Sequence, residues 1–365
     1  MKTSTSKRLR WNVAIWLAAG LFMTSTAGMA SGPIMPDPKA EARHQPQVEE
    51  TANGIPLVNI TAPSSGGVSR NEYETFNVPD KGAILNNSYT LSKTELAGYV
   101  QGNNNMAERP AKIIVNEVTG AGSTSMDGFL EVAGNRADVV IANPNGITVN
   151  GGGFINTGKA FLTTGKPVYD GEDHLQRFDI TGGDILIEGK GLGGKETGSL
   201  AILSRAVRIN AGIWAKDLHI TTGANSIDAK TLEASAIEGK GGRPAFALDT
   251  AAIGGMYAGR ITLVGTEKGL GVNNSGTWSA EDNLILDWNG DLKNSGTIYS
   301  KGNTDLRASR LENDKTIAAE RNLSAAAKEN IRNQGKLLAG ENMDIYAGKT
   351  LDNAGHAMES GNNLS

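Results

Sequence analysis

The chain contains no cysteine among its 365 residues. No disulfide can staple the fold, and no thiolate is on hand for nucleophilic or metal chemistry. Aromatic residues are scarce at 5%, and there are only four histidines. Basic charge is not in excess: the formal net charge is −4, and it falls to −8 without the four basic residues of positions 1–30. A phosphate-backbone binder is thereby disfavoured, and no nucleic-acid partner is expected. What is abundant is glycine, with 47 residues, alongside much Asn, Ser and Thr. Such a composition favours many short strands and turns over a few long amphipathic helices, which points to an all-β fold.

Lys7-Arg8-Leu9-Arg10 precede an apolar run from Val13 to Met23, followed by small residues and Gly28-Met29-Ala30. This is the order of a secretory signal peptide over residues 1–30, and the run is short for a membrane span. Cleavage is expected after Ala30, with Ser25-Thr26-Ala27 offering a second site. Residues 31–52 carry Pro33, Pro36, Pro38 and Pro46 and read as a flexible lead-in. Brief apolar runs follow, among them Ile55 to Ile60, Lys112 to Val118, Phe129 to Val132 and Asp138 to Ile141, separated by Gly, Asn and Pro. Leu91 to Val100 interrupts them and suggests a short helix or capping segment. Asn143-Pro144-Asn145-Gly146 then joins two strands by a tight bend, since Asn-Pro starts a turn and Asn-Gly accepts positive φ. No acid, base or nucleophile sits in that bend, so it suits a surface read by a partner better than a reactive site.

Toward the end the chain repeats itself. Val272-Asn273-Asn274, Leu292-Lys293-Asn294, Leu311-Glu312-Asn313, Ile331-Arg332-Asn333 and Leu351-Asp352-Asn353 recur at intervals of 20, 19, 20 and 20. Asn283, Asn303, Asn322, Asn342 and Asn362 form a second series in phase with the first. Each member of that series opens a strand whose alternation puts Leu284 and Leu286, or Met343 and Ile345, on one face. Two strands per repeat are expected, stacked coil on coil as a parallel β-helix, and the five copies add on the order of 24 Å of rod. The repeated Asn residues are expected to form turn hydrogen bonds or stacked ladders. Ala318 to Lys328 has strong helix propensity, yet it falls in phase with its neighbours and is assigned to the rod. The chain stops at Ser365 inside a repeat with no obvious cap, as a fragment of a longer protein would.

Several stretches together resemble one family. They are Gly54-Ile55-Pro56-Leu57-Val58-Asn59-Ile60, Asn116-Glu117-Val118-Thr119, Leu130-Glu131-Val132-Ala133-Gly134, Ala137 through Ile147, Phe154-Ile155-Asn156 and Leu162-Thr163-Thr164-Gly165, with Gly255-Met256-Tyr257 and Gly269-Leu270-Gly271-Val272 beyond. Residues 53–272 thus resemble the amino-terminal secretion domain of two-partner-secreted exoproteins, shared by filamentous haemagglutinin, the secreted haemolysins and contact-dependent inhibition toxins. The resemblance implies a right-handed parallel β-helix with an amino-terminal cap and extra-helical antiparallel strands or hairpins, and residues 273–365 would be the truncated start of the repeats. It implies export through the Sec translocon and then, unfolded, through an outer-membrane β-barrel transporter (TpsB type) whose periplasmic modules recognise the domain. The protein would end up secreted or at the surface of a Gram-negative cell, where host or neighbouring-cell receptors become possible partners. Asn143, Pro144, Asn145, Gly146 and Ile147 match the family's main motif and become the expected transporter-recognition site. The weaker companion motif falls on Asn103, Asn104, Asn105 and Met106, with Asn in place of Pro and Met in place of Leu. The haemolysin branch carries two cysteines just after the main motif, where Val149 and Gly152 stand here, so the chain resembles the cysteine-free, haemagglutinin-like branch.

Sites for chemistry are weak by comparison. Gly189-Lys190-Gly191-Leu192-Gly193-Gly194 fits a Gly-x-Gly-x-x-Gly pattern, but Glu196 follows Lys195 where a phosphate loop needs Ser or Thr, and no helix pattern follows. His44, His174, His219 and His356 show no metal-ligand spacing and no triad arrangement, and His219 reads as an outward strand residue. Asp127, Glu131 and Asp138 could supply carboxylates for glycoside cleavage, so a β-helix polysaccharide lyase or hydrolase is the alternative function. The reading preferred is a non-enzymatic secretion and targeting module with no cofactor and no metal, at the start of an adhesin, haemagglutinin or contact-dependent growth inhibition toxin.

Overall fold

The computed structural model describes residues 32–107 and 109–365; the expected signal peptide lies outside the described residues. The fold is a parallel β-helix. Its strands stack rung upon rung into a 23-stranded sheet, which holds two columns, and a 10-stranded sheet that forms the third. Gly212–Thr222 and Gly255–Gly265, 11 residues each, run through both columns of the larger sheet and tie them at a corner.

The repeats show why the chain winds this way. One coil consists of Leu292–Asn294, Thr297–Ser300 and Thr304–Ala308, three strands where two were expected. The unexpected strand escapes notice because only one large apolar side chain points inward from it: Ile298 shares the buried face with Ser300. Its neighbours repeat that pairing as Trp278 with Ala280, Ile317 with Ala319, and Leu337 with Ala339. Inward residues stack in register, Leu292 on Leu311 on Ile331 and Leu286 on Leu306 on Ala325. Burying each such Leu or Ile stabilises the rod by roughly 1.5–3 kcal/mol. That gain outweighs the helix preference of residues 318–328, which form parts of the strands Thr316–Ala319 and Leu323–Ala327.

Two asparagine ladders run along the corners. Asn274, Asn294, Asn313 and Asn333 each donate Nδ2–H to the Oδ1 of the next rung at 2.8, 2.8, 2.8 and 2.6 Å, ending on Asn353. In the second ladder Asn322, Asn342 and Asn363 donate from Nδ2 to Asn303, Asn322 and Asn342 at 2.9, 2.8 and 3.0 Å. The last rung is therefore Asn363 and not the expected Asn362: the final coil is one residue longer, and the hydrogen bond selects the residue.

The lead-in expected to be flexible, residues 31–52, is instead built into the fold from Ile34 onward. Ile34–Pro36 pairs antiparallel with Val68–Phe76, and Gln47–Glu50 pairs with Pro56–Asn59, with a 3-10 turn Ala42–His44 between them. The prolines sit at strand ends and turns, where they cost no sheet hydrogen bond. Residues 91–100 are a hairpin, Ser92–Thr94 with Gly98–Val100, and not a helix. Gly98 takes φ +70°, Thr94 Oγ1 donates to its carbonyl at 2.8 Å, and the Glu131 carboxylate accepts the N–H of Glu95 and Leu96 at 2.7 and 2.9 Å. A second extra-helical element is the four-stranded antiparallel sheet Lys166–Tyr169, Leu175–Ile180, Asn225–Asp228 and Ala234–Ala236. It packs Phe178, Ile180 and Ile227 on the outer residues Val115, Val140, Phe161, Ala201 and Leu203 of the coils.

Candidate functional site

The corner at residues 143–147 connects the strand Ala137–Ala142 to Ile147–Val149. Asn143 is fully buried. Its Oδ1 accepts the Asn145 N–H at 2.9 Å, and its Nδ2 donates to the Gly122 carbonyl at 2.9 Å and to Thr124 Oγ1 at 3.0 Å. One amide thus closes its own turn and holds the loop of the preceding coil, as a buried polar side chain must when water cannot reach it. Gly146 has φ +107°, and a β-carbon there would stand 3.0 Å from the Asp184 carbonyl of the next coil, so glycine is required twice over. Ile147 points into the core between Thr124 and Ile185. Only Pro144 and Asn145 are exposed, and Asn145 Nδ2 donates to the Gly120 carbonyl at 2.8 Å.

Residues 103–106 repeat this design. Asn103 is buried, its Oδ1 accepts the Asn105 N–H at 3.0 Å, and its Nδ2 donates to the carbonyls of Ile60 and Asn86 at 2.8 and 2.9 Å. Met106 is buried and Asn104 is exposed at the tip, in the place Pro144 takes in the other corner. The exchange of Pro for Asn and of Leu for Met leaves the turn intact, because the first asparagine carries its geometry. The two corners hang on different coils, and no hydrogen bond joins them among the described residues.

Of the carboxylates considered for glycoside cleavage, Asp127, Glu131 and Asp138, the last two are each tied to a different stretch of main chain. Glu131 holds the hairpin turn, and burial pushes its carboxyl upward against the pull of the two N–H donors. Asp138, also raised by burial, accepts the Lys159 N–H at 2.7 Å. Among the described residues no group of three or more His, Asp and Glu could hold a metal ion. His219 faces outward but is half-buried against Thr221 Oγ1 at 2.8 Å, and burial lowers its pKa to about 4. Gly189 and Gly191 take positive φ of 57° and 79° in the turn before Leu192–Gly194, with no helix beyond them.

One cluster left no trace in the sequence. Buried His44 lies 3.1 Å from Glu72 and 3.9 Å from Asp173, and Arg43 reaches Asp173 at 2.7 Å. Arg70 pairs with Glu72 at 2.8 Å, lies 3.5 Å from the buried Glu117, and covers the Tyr169 ring at 4.4 Å. It joins the lead-in, the strands Val68–Phe76 and Ile113–Val118, and the turn of the hairpin at 166–174. Its members are scattered over 130 residues of chain, so no spacing rule could gather them.

Comparison with known proteins agrees with this architecture. The family model described as TPS secretion domain matches residues 33–300, wider at both ends than the expected 53–272, and the haemagglutinin repeat model matches residues 289–364. A protein of Yersinia pestis named Toxin CdiA is 41% identical over 298 residues, 75% of this chain and 9% of that protein. The 16S rRNA endonuclease CdiA of Enterobacter cloacae is 39% identical over 342 residues, 92% of this chain and 10% of its own length. The chain therefore spans about a tenth of the curated relatives it matches. The crystal structure of the filamentous hemagglutinin secretion domain superposes with a TM-score of 0.63 at 28% identity, covering 92% of this chain and 100% of that one. A family match over more than half of the chain, on the fold of a solved secretion domain, makes the assignment: the chain belongs to the TPS secretion domain family, the secretion module of haemagglutinin- and CdiA-type exoproteins.

Proposed function

We propose that this chain directs a large exoprotein out of a Gram-negative cell, first through the Sec translocon and then through an outer-membrane β-barrel transporter whose periplasmic modules recognise it. The observation that carries this reading is the match over residues 33–300 on a β-helix that displays the Asn143–Ile147 corner. The chain itself performs no catalysis in this reading, and each coil that emerges buries its rungs on the one before, so that stacking disfavours return. The relatives named as toxins and nucleases favour a contact-dependent inhibition toxin as the passenger, ahead of a purely adhesive or haemagglutinating one. Receptors on host or neighbouring cells would then be met by parts of the protein beyond these residues.

Within the corner the five residues divide. In the folded rod Pro144 and Asn145 form the exposed tip, whereas Asn143, Gly146 and Ile147 build the turn; the transporter meets the corner before the rod has stacked, so Asn145 can serve recognition without serving the fold. The companion tip is Asn104 and Asn105, presented by Asn103 and Met106. Export assays with the cognate transporter, combined with thermal melting, separate recognition from folding. Asn145→Ala should keep a near-wild-type melting temperature and lose most export, while Asn143→Asp should lose both. Wild-type export of a normally folded Asn145→Ala variant would remove the tip from the recognition site.

A further inference from the structure

Most of the outer sheet surface near the amino-terminal coils is covered. The hairpin at 92–100 packs Leu96, Ala97 and Val100 over Ile84 and Ala133, and the four-stranded sheet covers Val140, Phe161 and Ala201. On the far side of the hairpin from that sheet lies an uncovered strip, where Phe129 and Tyr257 remain 42% and 39% exposed. The strip is one register column. Phe129 pairs with Gly153, Gly153 with Gly193, Gly193 with Trp214, and Trp214 with Tyr257. At the usual strand spacing these five rungs extend about 19 Å along the rod.

The rings lie down on the sheet instead of standing off it. A β-carbon at Gly153 would sit 2.4 Å from the Phe129 ring, one at Gly212 would sit 2.5 Å from the Trp214 ring, and one at Gly255 would sit 2.9 Å from a Tyr257 ring carbon. Glycine at these positions is the condition for the rings to rest on main chain, with one face against the backbone and the other open. The planes of Trp214 and Tyr257 are within 17° of each other, with centroids 6.1 Å apart. A row of flat, outward-facing aromatic surfaces suits a ligand that is itself a row of flat, C–H-lined rings with polar edges. Polar groups border the row. Thr277 and Ser279 occupy the next rung, and Lys216 follows Trp214 on the same face. Gly194 pairs with Ala215, which places Lys195 beside Lys216. The ion pairs nearby run from Arg260 to Asp217 and from Lys301 to Glu281, and they leave Lys195 and Lys216 without a carboxylate partner among the described residues. Glu196 lines the groove beneath the hairpin with Arg136.

We propose that this strip binds an acidic polysaccharide, with pyranose faces resting on Phe129, Trp214 and Tyr257 and sugar carboxylates paired to Lys195 and Lys216. The inference goes beyond export, and its site shares no residue with the corner at 143–147. The test is titration of the purified chain with hexagalacturonate, with cellohexaose as the neutral counterpart, by calorimetry and tryptophan fluorescence. Trp278 and Trp288 are buried, so Trp214 is the indole among the described residues that a surface ligand reaches. Hexagalacturonate should quench that emission, and Trp214→Ala or Tyr257→Ala should each weaken binding by about tenfold while export stays at wild-type level. Lys216→Glu, an exposed change that leaves the rings in place, should weaken binding by at least about threefold and flatten its salt dependence. Four outcomes would overturn the proposal: no binding at millimolar oligosaccharide, equal affinity for cellohexaose, wild-type affinity in Lys216→Glu, or concentration-dependent dimers abolished by Trp214→Ala, which would make the strip a contact between copies.

Discussion

At the scale of single residues, burial decides what each polar group can do. Asn143 was legible as part of a turn because Asn-Pro-Asn-Gly carries its own conformational preferences, but its split from Pro144 and Asn145 into builder and tip was not. That division depends on the loop at 120–124 lying beneath the corner, which no local spacing records. His44 is the opposite case, a residue read as scattered that proves to be enclosed. Burial lowers its pKa from 6.5, reinforced by the Arg70 and Arg43 charges and opposed by Glu72 and Asp173. The folded state therefore holds the ring neutral, and the stability this provides is present above the unfolded pKa and lost as pH falls below it. Glu117, raised by burial in the same cluster, responds in the opposite sense, gaining relative stability on protonation. Comparison of wild type with His44→Gln isolates the imidazole: the wild-type melting temperature should fall more steeply between pH 7 and pH 5 than that of the variant. Parallel curves would show that the imidazole does not resist protonation.

At the scale of elements, strands marked by a recurring Asn or by two large inward side chains are legible in the repeats, and those with a single large inward side chain and no such mark are not. Thr297–Ser300 and its stacked counterparts were missed because Ser300 or an alanine stands where a second apolar residue would have marked the period. Between a short helix and a capping segment at 91–100 the local sequence does not choose, because the hairpin found there depends on a carboxylate some 35 residues downstream. Glu131 is legible as an acid within a stretch that carries the family resemblance, with glycoside cleavage as its alternative role; in the fold it accepts hydrogen bonds from main chain. Glu131→Ala should unlatch the turn, leaving two N–H donors without an acceptor at a cost of about 1–3 kcal/mol. Hydrogen exchange at the Glu95 and Leu96 amides reads this directly, and protection equal to wild type would show that the hairpin closes without the latch.

At the scale of the whole molecule, the class of fold was legible because the repeats at 272–353 keep their phase over five copies. The amino-terminal cap was implied by the resemblance, but the ion pairs that join it to the coils were not legible, since Arg43 and His44 lie about 130 residues from Asp173 in the chain. Stacking along the rod makes stability a nearest-neighbour sum, so damage to one rung weakens every coil that must dock upon it. Leu306 is fully buried between Leu286 and Ala325. Leu306→Asp introduces an unpaired charge there and should slow export as well as lower the melting temperature, if coil stacking supplies the pull across the outer membrane. Undiminished export from a demonstrably weakened rod would mean that the pull comes from elsewhere.

The second asparagine ladder has a bearing on how such a rod changes over generations. Its rungs fall at 283, 303, 322, 342 and 363, so the residue count between them varies, yet the hydrogen bonds from Asn322 onward stay between 2.8 and 3.0 Å. The asparagine is an index mark, and the bends between marks absorb the slack. Gene lineages carrying this fold can thus gain or lose a residue at a bend and keep their phase, whereas loss of a mark leaves the next coil with no reference against which to set itself.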